Sequence, residues 1–155
     1  MKIYVASSWR NEFQPAVVEA LRNEGHEVYD FRNPAPGNNG FAWSELDPDW
    51  QKWNNEAYRE MLSHPIAEYG FNCDFDGMKW ADACVLVMPC GRSAHTEAGW
   101  MKGAGKTTIA LLIDEHEPEL MYKIFDHVAI GINDMLNMVA KIEAEKQKHL
   151  CSTST

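Results

Sequence analysis

Apolar runs of strand length alternate along this chain with segments of helical period, and no other feature limits its fold as much. The runs lie near residues 2–6, 27–31, 83–88, 107–113 and 127–130, and the helical segments near 13–24, 48–62, 74–81, 94–103 and 132–148. Parallel strands need a long return, and strand twist makes that return right-handed, so the alternation predicts βαβ units around a largely parallel sheet of five strands. Gly25 supplies a stop for the first helix, and Asp47-Pro48 resembles an N-cap followed by Pro at the first helical position. The expected organisation is one doubly wound α/β domain over 1–148, with 149–155 as a loose tail.

A chain of 155 residues fits one domain that buries roughly two thirds of its unfolded surface. A formal charge of −9, with Lys and Arg occurring singly, opposes binding to a nucleic-acid polymer, so an anionic partner has to be met locally. No apolar run approaches a membrane span, and the segment from Met1 to Ala6 is too short for a signal peptide and reads as the first strand. The four cysteines, at 73, 84, 90 and 151, show no metal or CxxC spacing, which points to reduced thiols in the cytoplasm.

Residues 32–53 interrupt the βαβ rhythm, with Pro, Gly and Asn over 33–40 followed by Phe41, Trp43, Trp50 and Trp53. An insertion this aromatic is a lid for a planar ligand, a helix packed by its tryptophans, or an oligomer contact.

Chemistry concentrates in Cys90-Gly91-Arg92-Ser93-Ala94-His95-Thr96-Glu97-Ala98-Gly99, directly after the apolar run Cys84-Val85-Leu86-Val87-Met88. Strand ends of α/β sheets are where ligands bind, and a helix expected from residue 94 puts Glu97 in its first turn, where the dipole favours a charged carboxylate. A capping box would need Ser, Thr, Asp or Asn at position 94, which is Ala94; Ser93 remains a possible N-cap, and Glu97 a possible plain surface acid. Two other motifs fail. Gly105-Lys106-Thr107 has Trp100 where a phosphate-binding loop needs its first Gly, and His95-Thr96-Glu97 has no downstream P-C-x-x-C to hold zinc.

A second carboxylate, Asp74, stands at the expected start of the helix leading into the same strand, with Asp82 at the turn between them. By itself an Asp there is commonly a cap.

Taken together, Lys2-Ile3-Tyr4-Val5-Ala6-Ser7, Asp74-x-x-Gly77 followed by Ala81-Asp82, and the turn ending in Glu97-Ala98-Gly99 resemble the nucleoside 2-deoxyribosyltransferases and the related deoxynucleoside 5′-monophosphate N-glycosidases. The resemblance spans roughly residues 1–115. It implies a flavodoxin-like or Rossmann-like three-layer sandwich, with Glu97 as a nucleophile on the anomeric carbon and Asp74 handling the proton on the base. No metal or organic cofactor is implied, and a neighbouring subunit completing the site implies a homodimer or larger homo-oligomer. Two carboxyl groups about 5 Å apart are what retaining glycoside chemistry uses.

The chain departs from the family at one point. Transferases usually carry an Asp shortly before the Glu, in a turn like D-S-G-T-A-x-E, whereas this chain has Gly91-Arg92-Ser93-Ala94-His95-Thr96-Glu97. That turn suits a phosphate, and Ser7, Ser8 and Arg10 after the first strand add to it; each is alternatively an ordinary surface residue. The P-G-G-x-G-T-x-x-E turn of ribonucleoside monophosphate glycosidases is matched less well. The expected activity is cleavage or transfer at the N-glycosidic bond of a nucleoside or nucleoside 5′-monophosphate. Gly91, Arg92, Ser93 and His95 are then anion or sugar contacts, and Tyr4, Trp9, Trp43 and Trp53 walls around the base. The alternative is a non-catalytic nucleotide-binding module in which Glu97 holds a ribose hydroxyl.

Overall fold

The structure, a computed structural model, describes the backbone of residues 1–152 and the side chains of residues 1–149. In chain order the elements are β1 (Lys2–Ala6), α1 (Gln14–Asn23), β2 (Glu27–Asp30), α2 (Asn55–Met61), α3 (Pro65–Trp80), β3 (Ala83–Val87), α4 (Arg92–Gly103), β4 (Thr107–Leu112), β5 (His127–Ile130) and α5 (Ile132–Ser152). Short 3-10 turns occupy Trp43–Glu45, Trp50–Lys52 and Leu120–Ile124. The chain divides into two compact units, one formed by Met1–Tyr29 with the chain from Ala81 onward, the other by Asp30–Trp80.

The first unit is built on the sheet, whose strand order is β2-β1-β3-β4-β5. β1 with β3, β3 with β4, and β4 with β5 pair in parallel. This is the flavodoxin-like order, in which the direction of winding reverses between β1 and β3 and leaves a crevice beyond their carboxyl ends. The register aligns Tyr4 with Cys84 and Cys84 with Thr108, so alternate side chains form two buried layers. On one face Ile3, Val5, Val85 and Ile109 pack with Val17 and Leu21 of α1 and with Met135 and Val139 of α5. The other face carries Tyr4, Cys84 and Leu86, and α4 turns Ala94, Ala98 and Met101 inward. A sheet covered on both sides accounts for the continuous apolar runs in the sequence.

In the second unit Trp43 is the hub of an aromatic cluster, with edge contacts to Phe41 at 4.9 Å, Trp53 at 5.6 Å and Tyr58 at 6.0 Å. α3 admits Phe41 because residue 70 is glycine: a Cβ there would lie 2.7 Å from the Cβ of Phe41. Among the described residues no helix is long and apolar enough to cross a membrane. Cys73, Cys84 and Cys90 have free thiols, and the side chain of Cys151 lies outside the described residues.

Several boundaries differ from the sequence-based expectation. Asp47 does not open a helix: its carboxylate accepts the Trp53 indole N–H (2.6 Å) and the Asp49 amide (2.8 Å). α2 starts instead at Asn55, with Asn54 Oδ1 accepting from the Ala57 amide at 2.9 Å. α3 begins at Pro65 rather than near 74, hidden from a periodicity argument because it exposes Ile66, Tyr69 and Phe71. α4 begins at Arg92 behind Gly91, not behind Ser93. α5 continues to Ser152, into the segment expected to be loose, and residues 153–155 lie outside the described residues.

Candidate active site

β3 delivers the chain to Met88-Pro89-Cys90-Gly91, whose Met88–Pro89 peptide is cis, and this connection starts α4. Two side chains from beyond β1 hold it. Ser7 Oγ donates to the Val87 carbonyl at 3.0 Å, and Asn11 Nδ2 donates to the carbonyls of Val87 (3.2 Å) and Pro89 (2.9 Å). Asn11 Oδ1 accepts from the amides of Phe13 (2.8 Å) and Gln14 (3.0 Å), so one carboxamide also anchors the start of α1. Ser7 and Asn11 are 7% and 3% exposed, which makes Ser7 a strand clamp rather than the open ligand contact expected of it. Sequence reasoning missed Asn11, although an Asn three residues before a helix with Pro at its second position is a capping signal.

Glu97 is half-buried on α4 beside the inward stripe of Ala94, Ala98 and Met101. With the helix starting at Arg92 there is no acid in its first turn, so the expected dipole stabilisation of Glu97 is replaced by a second-turn position where that field has decayed. Two thiols feel its charge. Burial and then the Glu97 carboxylate push the Cys84 thiol well up, and the same two causes push Cys90 up to about 12. Both sulfurs therefore stay protonated near neutral pH, and neither competes with the carboxylate as a nucleophile.

His95 takes the other flank. Residues two apart on a helix are separated by about 200° and do not face each other. His95 Nδ1 lies 2.8 Å from the Gly91 carbonyl, and Nε2 lies 2.9 Å from the Tyr122 hydroxyl, with the two rings stacked at 5.8 Å. Because a carbonyl only accepts, Nδ1 carries a proton toward Gly91, while the Tyr122 hydroxyl sits between Nε2 and the Met88 sulfur, to which it donates at 3.3 Å. Burial, then Cys90 and Glu119, raise the Tyr122 pKa, so its hydroxyl stays a donor. The expected anion cluster is thus divided. Arg92 and Ser93 are exposed in the first turn of α4 behind an exposed Gly91, while His95 is committed to Tyr122. Arg10 and Arg92 are exposed, and neither forms an ion pair among the described residues.

The candidate aromatic walls are placed differently from one another. Tyr4 is fully buried and stacks on Tyr29 at 5.1 Å, so it is a core residue and not a wall open to a base. Trp43 and Trp53 are brought together in the aromatic cluster of the second unit, as the packing alternative for that insertion anticipates. Trp9 is 52% exposed just beyond β1.

Asp74 lies in the interior of α3, which excludes a role as its N-cap. It is half-buried and lines a small cavity of about 60 Å³ within the second unit, with Phe41, Tyr69 and Cys73. A larger cleft of about 620 Å³ in the first unit is lined by His95, Tyr122, Phe125, Met121, Glu117 and Glu119, and Glu97 is not part of it. Its two carboxylates, Glu117 and Glu119, are exposed, and Glu119 accepts from the Met121 amide at 2.9 Å at the start of the 3-10 turn. Among the described residues no group of three or more His, Cys, Asp or Glu could hold a metal ion.

No protein-family model matches the sequence, and no curated protein matches it. Solved structures do. A 2-deoxyribosyltransferase from Bacillus psychrosaccharolyticus is 22% identical, with 87% of this chain and 90% of that chain covered at a TM-score of 0.58. The CMP N-glycosidase BcmB of Clostridium botulinum is 15% identical, with 90% of this chain and 99% of that chain covered at a TM-score of 0.51. The fold of this chain is therefore the α/β fold of those two structures.

Proposed function

We propose that this chain, folded like a 2-deoxyribosyltransferase and an N-glycosidase, is a nucleoside 2-deoxyribosyltransferase-like enzyme that cleaves the N-glycosidic bond of a nucleoside or nucleoside 5′-monophosphate. The observation that carries this reading is Glu97, a half-buried carboxylate on the helix after the central strand, beside the β1/β3 reversal point. Glu97 attacks the anomeric carbon as the carbon–nitrogen bond breaks, and the electron pair leaves with the base. Asp74, acting as acid, gives that base its proton. A glycosyl ester on Glu97 remains, and water or a second base attacks it while Asp74 takes the proton and Glu97 departs as a carboxylate.

Protonated thiols around Glu97 leave the carboxylate as the group to be alkylated, and no metal or organic cofactor is required by this sequence of steps. Arg92, Ser93 and the Gly91 backbone, with Arg10, receive the sugar phosphate, and the first-turn amides of α4 add donors. Trp9, half-exposed just beyond β1, is the wall for the base. The enzyme works in the cytoplasm as a homodimer or larger assembly, a state supported by exposed Leu120, Met121, Ile124 and Ile130 and read directly by light scattering.

Incubation with deoxy- and ribonucleosides and their 5′-monophosphates, with and without an acceptor base, followed by chromatography, tests the proposal. Release of free base supports it. Nucleotides bound but recovered intact after long incubation would show a binding module instead.

A further inference from the structure

The Asn11 carboxamide bonds on both sides: its NH2 donates to the carbonyls that flank the β3–α4 connection, and its oxygen accepts from two amides at the start of α1. Both connections that border the β1/β3 reversal point are therefore tied through one side chain, 3% exposed. Beyond Pro89 the chain runs through Cys90 into α4 and so to Glu97. We propose that Asn11 is a positioning residue, which fixes the Pro89-Cys90-Gly91 turn and thereby sets the Glu97 carboxylate against Cys90 and the sheet. The proposal rests on the reading of Glu97 as nucleophile only for its catalytic consequence; its geometric content stands separately.

The chemistry of the amide explains why Asn is used. Val87 and Pro89 offer only carbonyl acceptors, and the α1 start offers only donors, so the side chain must present NH2 on one side and oxygen on the other. Asp keeps the oxygen for Phe13 and Gln14 but turns a second acceptor toward two carbonyls, which repels the turn while sparing the helix start. Ser keeps a short acceptor for the helix start and cannot span to Pro89.

Cys90 reports the outcome without any enzymatic assay, since its half-buried thiol lies in the turn itself, 3.6 Å from His95 Nδ1 and 3.4 Å from the Met88 sulfur, and feels the Glu97 carboxylate. The experiment measures iodoacetamide alkylation of Cys90 by peptide mass mapping at fixed pH. Wild type, Asn11→Asp, Asn11→Ser, Glu97→Gln and the Asn11→Asp/Glu97→Gln pair are compared, each checked for cooperative melting. Expected results are that Asn11→Asp and Asn11→Ser raise the Cys90 rate at least about tenfold, one pK unit of thiolate being tenfold. Glu97→Gln should raise it severalfold in wild type and less than about twofold in Asn11→Asp, because the carboxylate no longer faces the sulfur.

Equal effects of Glu97→Gln in the two backgrounds, or an unchanged Cys90 rate in the folded Asn11 variants, would overturn the proposal. The Ser variant decides the matter if the Asp variant does not fold. In parallel, kcat for base release should fall at least about tenfold in Asn11→Ser with KM changed less than about threefold. Loss through KM alone would also overturn it. A wild-type protein that releases no base would refute the glycosidase reading, while the Cys90 rates still settle whether Asn11 places Glu97.

Discussion

The Nε2 of His95 lies 2.9 Å from the Tyr122 hydroxyl, and this bond takes the imidazole to the flank of α4 away from Glu97. The pair joins the first turns of α4 to the 3-10 turn Leu120–Ile124. A partly buried hydrogen bond of this kind contributes about 1 kcal/mol net. His95→Ala and Tyr122→Phe should each lower unfolding free energy by about that amount, and the double variant should lose little more than either single one. Urea denaturation of the four proteins measures it, and full additivity would show that the bond carries no coupling.

With His95 committed elsewhere, Arg92 is the exposed first-turn cation available to a 5′-phosphate. Arg92→Ala should weaken turnover of a nucleoside monophosphate by roughly 2 kcal/mol in kcat/KM, the scale of a charge-assisted bond, and barely alter the bare nucleoside. The ratio of the two efficiencies in wild type and variant is the measurement. A wild-type preference for the bare nucleoside, or an unchanged ratio, would favour the transferase description.

Asp74 occupies the interior of α3, where Asp is a poor helix former and is not the N-cap. As acid to the departing base it should matter most when that base leaves badly. Asp74→Asn should therefore slow natural nucleosides by about 10² or more and activated leaving groups much less. Comparing kcat across leaving groups of graded acidity tests this, and uniform slowing would identify a structural role.

Asp126 supplies the clearest pH dependence of stability. Burial would raise its pKa, but the Lys102 ammonium and the Thr108 amide (2.8 Å) and hydroxyl (3.0 Å) outweigh it and hold the carboxyl below the ordinary Asp range. A folded pKa below the unfolded one means stability fully present above the unfolded value, about 3.9, and lost as pH falls through the folded value. Thermal melting of Asp126→Asn should accordingly be flatter between about pH 5 and 2 than that of wild type. Parallel curves would contradict the assignment.

The sheet was legible because its strands are buried on both sides: β1 and β5 fall on the residues expected, and β2, β3 and β4 end one residue early. The carboxylate after β3 was legible from its place in the chain. Its helix position was not, since Gly91 begins α4 without any side-chain cap, and a cap search settles on Ser93 instead. α3 was shortened in the sequence because its first turns expose Ile66, Tyr69 and Phe71, which blurs the periodicity. Tyr122 had no local signal at all, because its role arises from a contact 27 residues away. Tyr4 reads as a wall around the base, yet alternation points it into the layer beneath α4.

Glu97 is the centre of the proposed chemistry, and removing its nucleophilic oxygen while keeping its shape is the most direct trial. Base release from nucleosides and nucleoside 5′-monophosphates should be measured for wild type and Glu97→Gln, with melting curves to confirm that both are folded. Loss of a covalent nucleophile should lower kcat by several orders of magnitude, far beyond the roughly tenfold per 1.4 kcal/mol of a binding contact. Retention of most of the wild-type turnover by folded Glu97→Gln would contradict the assignment of Glu97 as the nucleophile.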